Sequence, residues 1–376
     1  MTTVSVPTIS TEELRELLDS GAGGGGAAVT VLDVRPAAER AEWSISGSVH
    51  VDAYDALRRG DPHALEGFRP SNGGRVVTVC GAGKTSRLAV EQLRGRGFDA
   101  VSLEGGMRGW SLAWNTAEVL DSRCSARIVQ VRRTGKGCLS YVVGSDGEAA
   151  VIDVSLDPRV YVELAGRLSW RIRSVIETHV HADHLSRARA LAAGTGAALF
   201  LPQTNRLSFE YAPLTEGNTV AVGAGGLRVL RTPGHTPESS CYFLDERVLF
   251  TGDTLFLQAV GRPDLEATPA EVRSRARSLH RSLRRLLELP DDTEILPAHT
   301  SAPVAFDRRP IAGRLGEVRR TELLRAGETE FVDAILARIP PTPPNHHRIV
   351  ALNESGTLPE GDPTELEAGA NRCAVA

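Results

Sequence analysis

The chain has 376 residues, of which 41% are hydrophobic and 24% are charged, and its formal net charge is −4. This length suggests two or three globular domains, and the acidic balance leaves no basic stripe for a nucleic-acid partner. No apolar stretch approaches the roughly 18 residues of a membrane span, and the first residues lack the apolar core of a signal peptide, so we expect a cytoplasmic protein without a membrane partner.

The first predicted elements form a small α/β unit. Ser10 and Glu13 make an S-x-x-E capping box ahead of a short amphipathic helix, and apolar strands are predicted at residues 28–34 and 75–79. The glycine-rich run at residues 21–26 is predicted to be a surface turn, because no strand precedes it and no Lys-Ser/Thr pair follows it. Alternating strands and helices predict a parallel sheet with flanking helices.

Cys80 ends the second of these strands and opens a loop of small residues before a helix predicted at residues 87–94. Backbone N–H groups in such a loop, together with a helix N-terminus, favour a thiolate over a thiol. A buried, inert cysteine is the alternative. The sequence therefore predicts a reactive thiolate held by a loop of five residues, which are Gly81, Ala82, Gly83, Lys84 and Thr85.

This loop, with Trp-Ser-Ile-Ser-Gly-Ser-Val at residues 43–49 and Ser-Leu-Glu-Gly-Gly-Met-Arg-Gly-Trp at 102–110, resembles a single-domain rhodanese. The resemblance implies a sulfurtransferase domain over residues 1–118, in which Cys80 carries a sulfane sulfur as a persulfide and exchanges it with thiosulfate or sulfite. Gly81 stands where many rhodaneses have Arg, and Lys84 and Arg87 are the nearby cations. The direction of sulfur transfer stays open.

Past a polar join predicted at residues 115–125, strands are predicted at residues 127–131, 139–143, 149–154 and 173–177. The last of them leads into Thr-His-Val-His-Ala-Asp-His at residues 178–184, and a helix is predicted at residues 185–193. Three imidazoles and a carboxylate within six residues predict a metal site. His179 and His181 point the same way, whereas Asp183 and His184 face a neighbouring position, so the spacing allows one metal or two.

Three later strands each end in a further potential ligand: His235 in a Thr-Pro-Gly-His-Thr-Pro turn, Asp253 after Thr251-Gly252, and His299 after Pro297-Ala298. Loops that follow strands converge on sites held by a rigid sheet. Together these motifs resemble the metallo-β-lactamase superfold. The resemblance implies an αββα sandwich over residues 119–376 that includes a helical, proline-rich C-terminal extension.

Val-Gly-Arg-Pro-Asp-Leu at residues 260–265, residues 343–345 with 348–353, and Asn-Arg-Cys at 371–373 resemble persulfide dioxygenases. This resemblance implies oxidation of a low-molecular-weight thiol persulfide by O2 to sulfite and free thiol. It implies one Fe(II) per chain, bound by His179, His235 and Asp253, with Zn²⁺ as the alternative metal. The second-site positions of the superfamily are present but are not expected to bind this iron: His181, Asp183, His184 and His299.

Two further residues follow from the same resemblance. Arg262 is predicted either to orient an anion for catalysis or to support the loop at residues 178–184, which we call the metal loop. The alternative is that Arg262 forms only a surface salt bridge. Cys373 matches a cysteine near the active site of the family, with an incidental tail position as the alternative. The remaining cysteines, Cys124, Cys138 and Cys241, are predicted to be structural, and the pair at residues 346–347 to be solvated histidines.

Two rival functions stay open. All the ligands of a binuclear site are present, so a zinc thioester hydrolase of the glyoxalase II type is the first rival. The second is a non-enzymatic sulfur carrier or persulfide sensor. Nothing in the sequence distinguishes glutathione, coenzyme A, cysteine or mycothiol as the thiol, and a homodimer is the default assembly.

Overall fold

The computed structural model describes residues 6–21, 29–70, 73–120 and 124–376. Apart from Gly21, the last residue of the first helix, the predicted glycine-rich turn lies outside the described residues. In the part of the chain that is described, no helix is both long enough and apolar enough to cross a membrane.

The first sheet has five parallel strands, which are β1 (Thr8–Ile9), β2 (Val29–Asp33), β3 (Val49–His50), β4 (Arg75–Val79) and β5 (Ala100–Leu103). Its helices are α1 (Thr11–Gly21), α2 (Ala37–Glu42), α3 (Tyr54–Arg58), α4 (Thr85–Gly95) and α5 (Gly106–Trp110). The strand order is β1-β5-β4-β2-β3. The capping box is confirmed, because the Glu13 amide donates to Ser10 Oγ at 3.1 Å and the Ser10 amide donates to Glu13 Oε2 at 2.9 Å.

Alternate residues of the central strands face opposite sides of this sheet. Leu32 and Val76 pack in one core with α3 and α4, whereas Val31 and Val77 pack in another with α1 and α5. The predicted parallel sheet with flanking helices is therefore confirmed.

Two larger sheets follow. The second sheet consists of β6 (Asn115–Val119), β7 (Arg127–Arg133), β8 (Cys138–Ser145), β9 (Glu148–Ile152), β10 (Arg171–Ile176), β11 (Ala198–Pro202) and β12 (Ala212–Leu214). The remaining strands are β13 (Thr219–Val222), β14 (Gly225–Arg231), β15 (Ser240–Leu244), β16 (Val248–Gly252), β17 (Val260–Gly261), β18 (Glu294–Pro297), β19 (Gly313–Arg314) and β20 (Ala374–Val375). The third sheet has the order β13-β14-β15-β16-β18-β19, and β17 pairs with β20 separately.

The helices of this part are α6 (Pro158–Arg167), α7 (Ala188–Thr195), α8 (Pro269–Leu286), α9 (Leu315–Val318), α10 (Glu322–Arg325), α11 (Glu328–Arg338), α12 (His346–Ser355) and α13 (Thr364–Glu367). The second and third sheets enclose one apolar core, in which the rings of Tyr141 and Phe250 lie 5.0 Å apart. Helices α6 and α7 cover the outer face of the second sheet, and α8 and α11 cover that of the third. The predicted αββα sandwich is confirmed.

Three local predictions are wrong. Asn115–Val119 is an edge strand paired antiparallel to β7 rather than a polar join, because Ala117 and Val119 bury their side chains. Helix α7 begins at Ala188 rather than residue 185, since side chains elsewhere in the chain bind the backbone before it. His346 is buried rather than solvated, although His347 is exposed. The division of the domains at residues 118 and 119 stays a prediction.

The first domain contacts the sandwich directly. Trp43 Nε1 donates to the carbonyl of Gly135 at 2.7 Å. A Cβ on Gly135 would lie 1.7 Å from the carbonyl oxygen of Trp110, so only glycine fits there. Exposed ion pairs join Arg108 to Glu365 at 3.1 Å and Glu42 to Arg372 at 2.9 Å. Residues near the C-terminal end of the sandwich therefore touch the first domain.

Candidate metal centre

Three side chains from three strand ends form the first candidate metal group. His179 follows β10, His235 lies in the turn after β14, and Asp253 follows β16. Their ligand atoms lie within 4.8 Å of one another, and all three side chains are buried. The Nε2 atoms of His179 and His235 lie 3.7 and 3.5 Å from Asp253 Oδ2. The structure thus brings together the three residues predicted to bind iron.

The Nδ1 atoms of both histidines already have hydrogen-bond partners, which leaves their Nε2 atoms and Asp253 Oδ2 to bind an ion. His179 Nδ1 contacts Thr178 Oγ1 at 2.8 Å, and His235 Nδ1 donates to the carbonyl of Arg262 at 2.8 Å. His179 Nε2 and Asp253 Oδ2 are buried without a hydrogen-bond partner. Burying such atoms unpaired is costly, so the group fits a divalent cation.

The pKa shifts in this group agree with the protonation states of metal ligands. The pKa of His179 lies well below its ordinary value, mainly because the side chain is buried and secondly because His181 is close by. Burial is also the main reason that the pKa of His235 is lowered. Burial alone would raise the pKa of Asp253, because it disfavours the charged carboxylate. The neighbouring His299 is the largest of the contributions that lower this pKa, and the net effect is a lowered pKa. Two neutral imidazoles and one carboxylate leave open positions on Fe(II), and Zn²⁺ accepts the same donors.

His181 is not a member of the first group, although its ring lies 4.2 Å from that of His179. Its Nε2 lies 2.6 Å from Glu177 Oε2 and 3.3 Å from Asp153 Oδ1, and all three side chains are buried. Burial opposes the charged imidazole, but Glu177 and Asp153 outweigh it and hold the pKa of His181 well above its ordinary value. Sequence reasoning missed both carboxylates, although each stands at the end of a predicted apolar strand, as the expected ligands do.

A second group lies beside the first and contains Cys138, Asp183, His184 and His299, all buried and with ligand atoms within 4.8 Å. Asp183 links its members, since Oδ1 lies 3.1 Å from His184 Nδ1 and Oδ2 lies 2.9 Å from His299 Nε2. His299 Nδ1 also lies 2.5 Å from Asp253 Oδ1, so one imidazole connects the two groups.

Cys138 was predicted to be a structural thiol, and the structure places it among the potential ligands of the second group. Its Sγ lies 3.4 Å from Asp183 Oδ2. Burial and Asp183 raise the pKa of this thiol, but His184 and His299 outweigh them and bring it to about 7. Cys138 reaches this group because it stands at the start of β8 and pairs with His299, which lies more than 150 positions later in the chain. No local sequence pattern signals this pairing.

Cys373 lies beside both groups. Its Sγ is within 4.8 Å of ligand atoms of Asp253 and His299, and the residue is buried. Burial, followed by Asp183 and Asp253, raises the pKa of this thiol well above its ordinary value. The alternative that Cys373 lies in an incidental position in the tail is therefore wrong. A role for Cys373 next to the substrate stays a prediction.

Arg262 supports the first group through its backbone. Its side chain is wholly buried and bonds Asp264 Oδ2 at 2.8 Å, the carbonyl of Pro340 at 2.9 Å and the carbonyl of Arg372 at 3.1 Å. Its own carbonyl accepts the hydrogen bond from His235. The surface salt bridge is thus excluded, and these contacts support the turn that carries His235, whereas support of the loop at residues 178–184 stays a prediction. A direct catalytic role for the guanidinium stays a prediction.

Residues near the C-terminal end brace the metal loop. Asn353 Nδ2 donates to the carbonyls of His181 and His184 at 2.8 and 2.9 Å. The Leu185 amide donates to Glu367 Oε1 at 2.7 Å, and Glu367 also binds the guanidinium groups of Arg187 and Arg133. Neither Asn353 nor Glu367 was singled out from the sequence, because both contacts span more than 160 positions.

Cys80 lies in the first domain between β4 and α4. It is 2% exposed, and its Sγ lies 3.3 Å from Ser86 Oγ. The loop from Gly81 to Lys84 leads into α4, as predicted, although the helix begins at Thr85. A Cβ on Gly106 would lie 2.2 Å from the Cys80 carbonyl oxygen, so α5 packs tightly on this loop. Cys80 thus lies one short loop before the N-terminus of α4, and its reactivity stays a prediction.

Comparison with known proteins agrees with both halves of the fold. The pattern of the metallo-beta-lactamase superfamily matches residues 133–299, and that of the rhodanese-like domain matches residues 10–113. A probable metallo-hydrolase of Burkholderia pseudomallei is 30% identical over 237 residues, which are 51% of this chain and 78% of that protein.

Two further proteins are similar to the sandwich. A hydroxyacylglutathione hydrolase of Maricaulis maris is 36% identical over 159 residues, 41% of this chain, but the match spans only 57% of its own length. Among solved structures, ETHE1 from Myxococcus xanthus superposes with a TM-score of 0.52 and 26% identity, covering 64% of this chain and 99% of that one.

Proposed function

We propose that this chain, which belongs to the metallo-β-lactamase superfamily and carries a rhodanese-like domain ahead of the sandwich, oxidises a low-molecular-weight thiol persulfide. The reaction is RSSH + O2 + H2O → RSH + SO3²⁻ + 2H⁺. The S–S bond breaks, the terminal sulfur loses four electrons, and O2 accepts them. The similarity to ETHE1 from Myxococcus xanthus agrees with the dioxygenase family that the sequence resembles.

The observation that carries this proposal is the position of His181. Its Nε2 contacts Glu177 at 2.6 Å, so the first group keeps the two imidazoles and one carboxylate of His179, His235 and Asp253. An Fe(II) ion in such a set would keep positions for both O2 and a substrate sulfur, whereas zinc has no electrons to give to O2. A binuclear hydrolase would need His181 as a further ligand, and Nδ1, which is buried without a hydrogen-bond partner, is the atom left for that role.

The protein residues hold this donor set in place. Thr178 Oγ1 and the Arg262 carbonyl fix the two imidazoles through their Nδ1 atoms, which leaves each Nε2 directed at the cation position. His299 holds Asp253 Oδ1, which leaves Oδ2 for the metal. Burial of all these groups keeps bulk water away from the reacting sulfur.

The rhodanese-like domain adds a second sulfur site. Cys80 would accept the sulfane sulfur of thiosulfate, with sulfite as the leaving group, and transfer it to a free thiol, which then becomes the persulfide substrate. The reverse transfer, from a Cys80 persulfide to product sulfite, would form thiosulfate. Support comes from the position of Cys80 at the start of α4 and from the contact of Trp43 with the sandwich.

One observation favours a second candidate, a binuclear zinc thioester hydrolase. The second group offers Asp183, His184 and His299 next to the first, and several similar proteins are hydroxyacylglutathione hydrolases. That activity would require about two zinc ions per chain and no O2 uptake.

Metal analysis of full-length protein purified without oxygen separates the two candidates. We expect about one iron per chain, sulfite formation and O2 uptake with a persulfide. His235→Ala should lose iron and sulfite formation, whereas His184→Ala, in the second group, should keep one iron. The proposal would be refuted in favour of the hydrolase by three results together. The protein would contain two zinc ions, either substitution would remove both of them, and the protein would hydrolyse a thioester without taking up O2.

A further inference from the structure

A cleft of about 510 Å³ opens beside His299. Gln258, from the loop after Asp253, lines one side, and Thr300 and Ser301 line the other. This volume is typical of pockets that bind small ligands. The cleft meets the metal centre at His299, whose Nδ1 lies 2.5 Å from Asp253 Oδ1 of the first metal group. We call it the His299 cleft.

The His299 cleft offers no partner for an anion. Among the described residues that line it, none has a Lys, Arg, Asp or Glu side chain. The two ring nitrogens of His299 lie 2.9 Å from Asp183 Oδ2 and 2.5 Å from Asp253 Oδ1, so both already face carboxylates. A substrate carboxylate entering the cleft would lose hydration without gaining a cation.

The cleft does offer neutral hydrogen-bonding groups on an apolar wall. The amide of Gln258 and the hydroxyls of Thr300 and Ser301 can each donate or accept, and Phe256 and Ile311 supply apolar surface. A few polar groups on an apolar wall fix the orientation of a small ligand without requiring it to be charged.

We propose that the His299 cleft binds the organic part of a thiol persulfide in which this part is uncharged and carries hydroxyl or amide groups. The protein then prefers such persulfides to those with free carboxylates, of which glutathione persulfide is an example. This inference rests on the proposed persulfide oxidation, because it assigns the substrate class of that reaction.

The test compares two substrates that differ only in charge. O2 uptake by the iron-loaded full chain is measured with the persulfides of N-acetylcysteine and of N-acetylcysteine amide, at a pH where both persulfide groups are ionised. We expect kcat/KM to be about tenfold higher for the amide. Equal values, or a preference for the carboxylate, would overturn the inference.

A matched variant tests whether the cleft itself makes the distinction. Ala302 is exposed on the cleft wall and belongs to neither metal group. Ala302→Arg should shift the ratio of the two kcat/KM values about tenfold toward the carboxylate. If Ala302→Arg changes neither value, or both equally, recognition occurs elsewhere and the inference is wrong.

A binding measurement separates this inference from the proposed reaction. The S-methyl thioethers of the same two compounds lack a sulfane sulfur and cannot be turned over, and their dissociation constants are obtained by titration calorimetry. The amide should bind about tenfold more tightly, and Ala302→Arg should remove the difference. If the amide binds more tightly but the protein takes up no O2, the proposed oxidation alone is refuted. If the two dissociation constants are equal, the proposed substrate class is refuted.

Discussion

Replacing Glu367 by Gln tests the buried ion cluster that braces the metal loop. The Glu367 carboxylate is inaccessible to solvent and binds the buried guanidinium groups of Arg133 at 3.0 Å and Arg187 at 2.9 Å. Removing one partner from a buried ion pair costs about 3–5 kcal/mol, because the remaining charge stays buried and unpaired. For a domain of this size that loss lowers the melting temperature by roughly 10 °C.

The assay is thermal unfolding followed by circular dichroism at several pH values. Burial raises the pKa of Glu367, but Arg133 and Arg187 outweigh it and hold the pKa well below its ordinary value of 4.5. A depressed folded-state pKa gives stability that is complete above the unfolded-state pKa and is lost as the pH falls. The difference between wild type and Glu367→Gln should therefore be largest above about pH 5 and shrink in acid.

Glu365 provides the matched control on the same helix. Its carboxylate is exposed and pairs with Arg108 at 3.1 Å, so Glu365→Gln should change the stability by less than about 1 kcal/mol. A Glu367→Gln variant that melts within about 2 °C of wild type at pH 7 would refute the reasoning. A difference that grows in acid would refute the assigned direction of the pKa shift.

Three further predictions concern the first domain and its contact with the sandwich. Cys80→Ser should lose sulfite production from thiosulfate plus thiol but keep oxidation of a preformed persulfide, as sulfite assays would show; unchanged thiosulfate-driven production would contradict the sulfur-transfer role. Gly106→Ala should destabilise the first domain by about 2 kcal/mol or more in urea unfolding, because its φ is +55° and a Cβ would meet the Cys80 carbonyl; Gly95→Ala, with open space around it, is the control. Trp43→Phe should cost about 1 kcal/mol through loss of the bond to Gly135, and faster limited proteolysis between the domains would show it.

Local patterns predicted most of the secondary structure around the sites. The strand at Arg75–Val79 has the predicted bounds, and the capping box of Ser10 and Glu13 forms as expected. A metal site could be predicted because each potential ligand follows an apolar strand, and strand ends of one sandwich edge meet in space. The choice of His179, His235 and Asp253 as one group comes from the resemblance to persulfide dioxygenases. The three ligand atoms do meet within 4.8 Å.

The rest depends on contacts that join distant segments. The metal loop is not helical from residue 185, because Asn353 and Glu367 bind its backbone in place of a helical turn. Cys138 reaches the second group only because β8 starts opposite His299. His181 meets Glu177 rather than the first group, and no spacing rule chooses between these two partners. Side-chain competition of this kind is settled by packing, which a one-dimensional pattern does not contain.

The pairing of β17 with β20 has a consequence for the order in which the protein matures. Gly261 pairs with Ala374, and the Arg262 amide donates to the Cys373 carbonyl at 3.0 Å, so the segment that fixes His235 is itself held by residues made more than 100 positions later. Domains fold as units during synthesis, the N-terminal one first. The Cys80 domain can therefore complete its fold while the sandwich is still being translated, whereas the metal donors take their final positions only after residue 375 has left the ribosome. Metal loading therefore requires the segment at residues 373–375, and ribosome-bound chains that end before residue 370 should show a folded first domain but retain no metal.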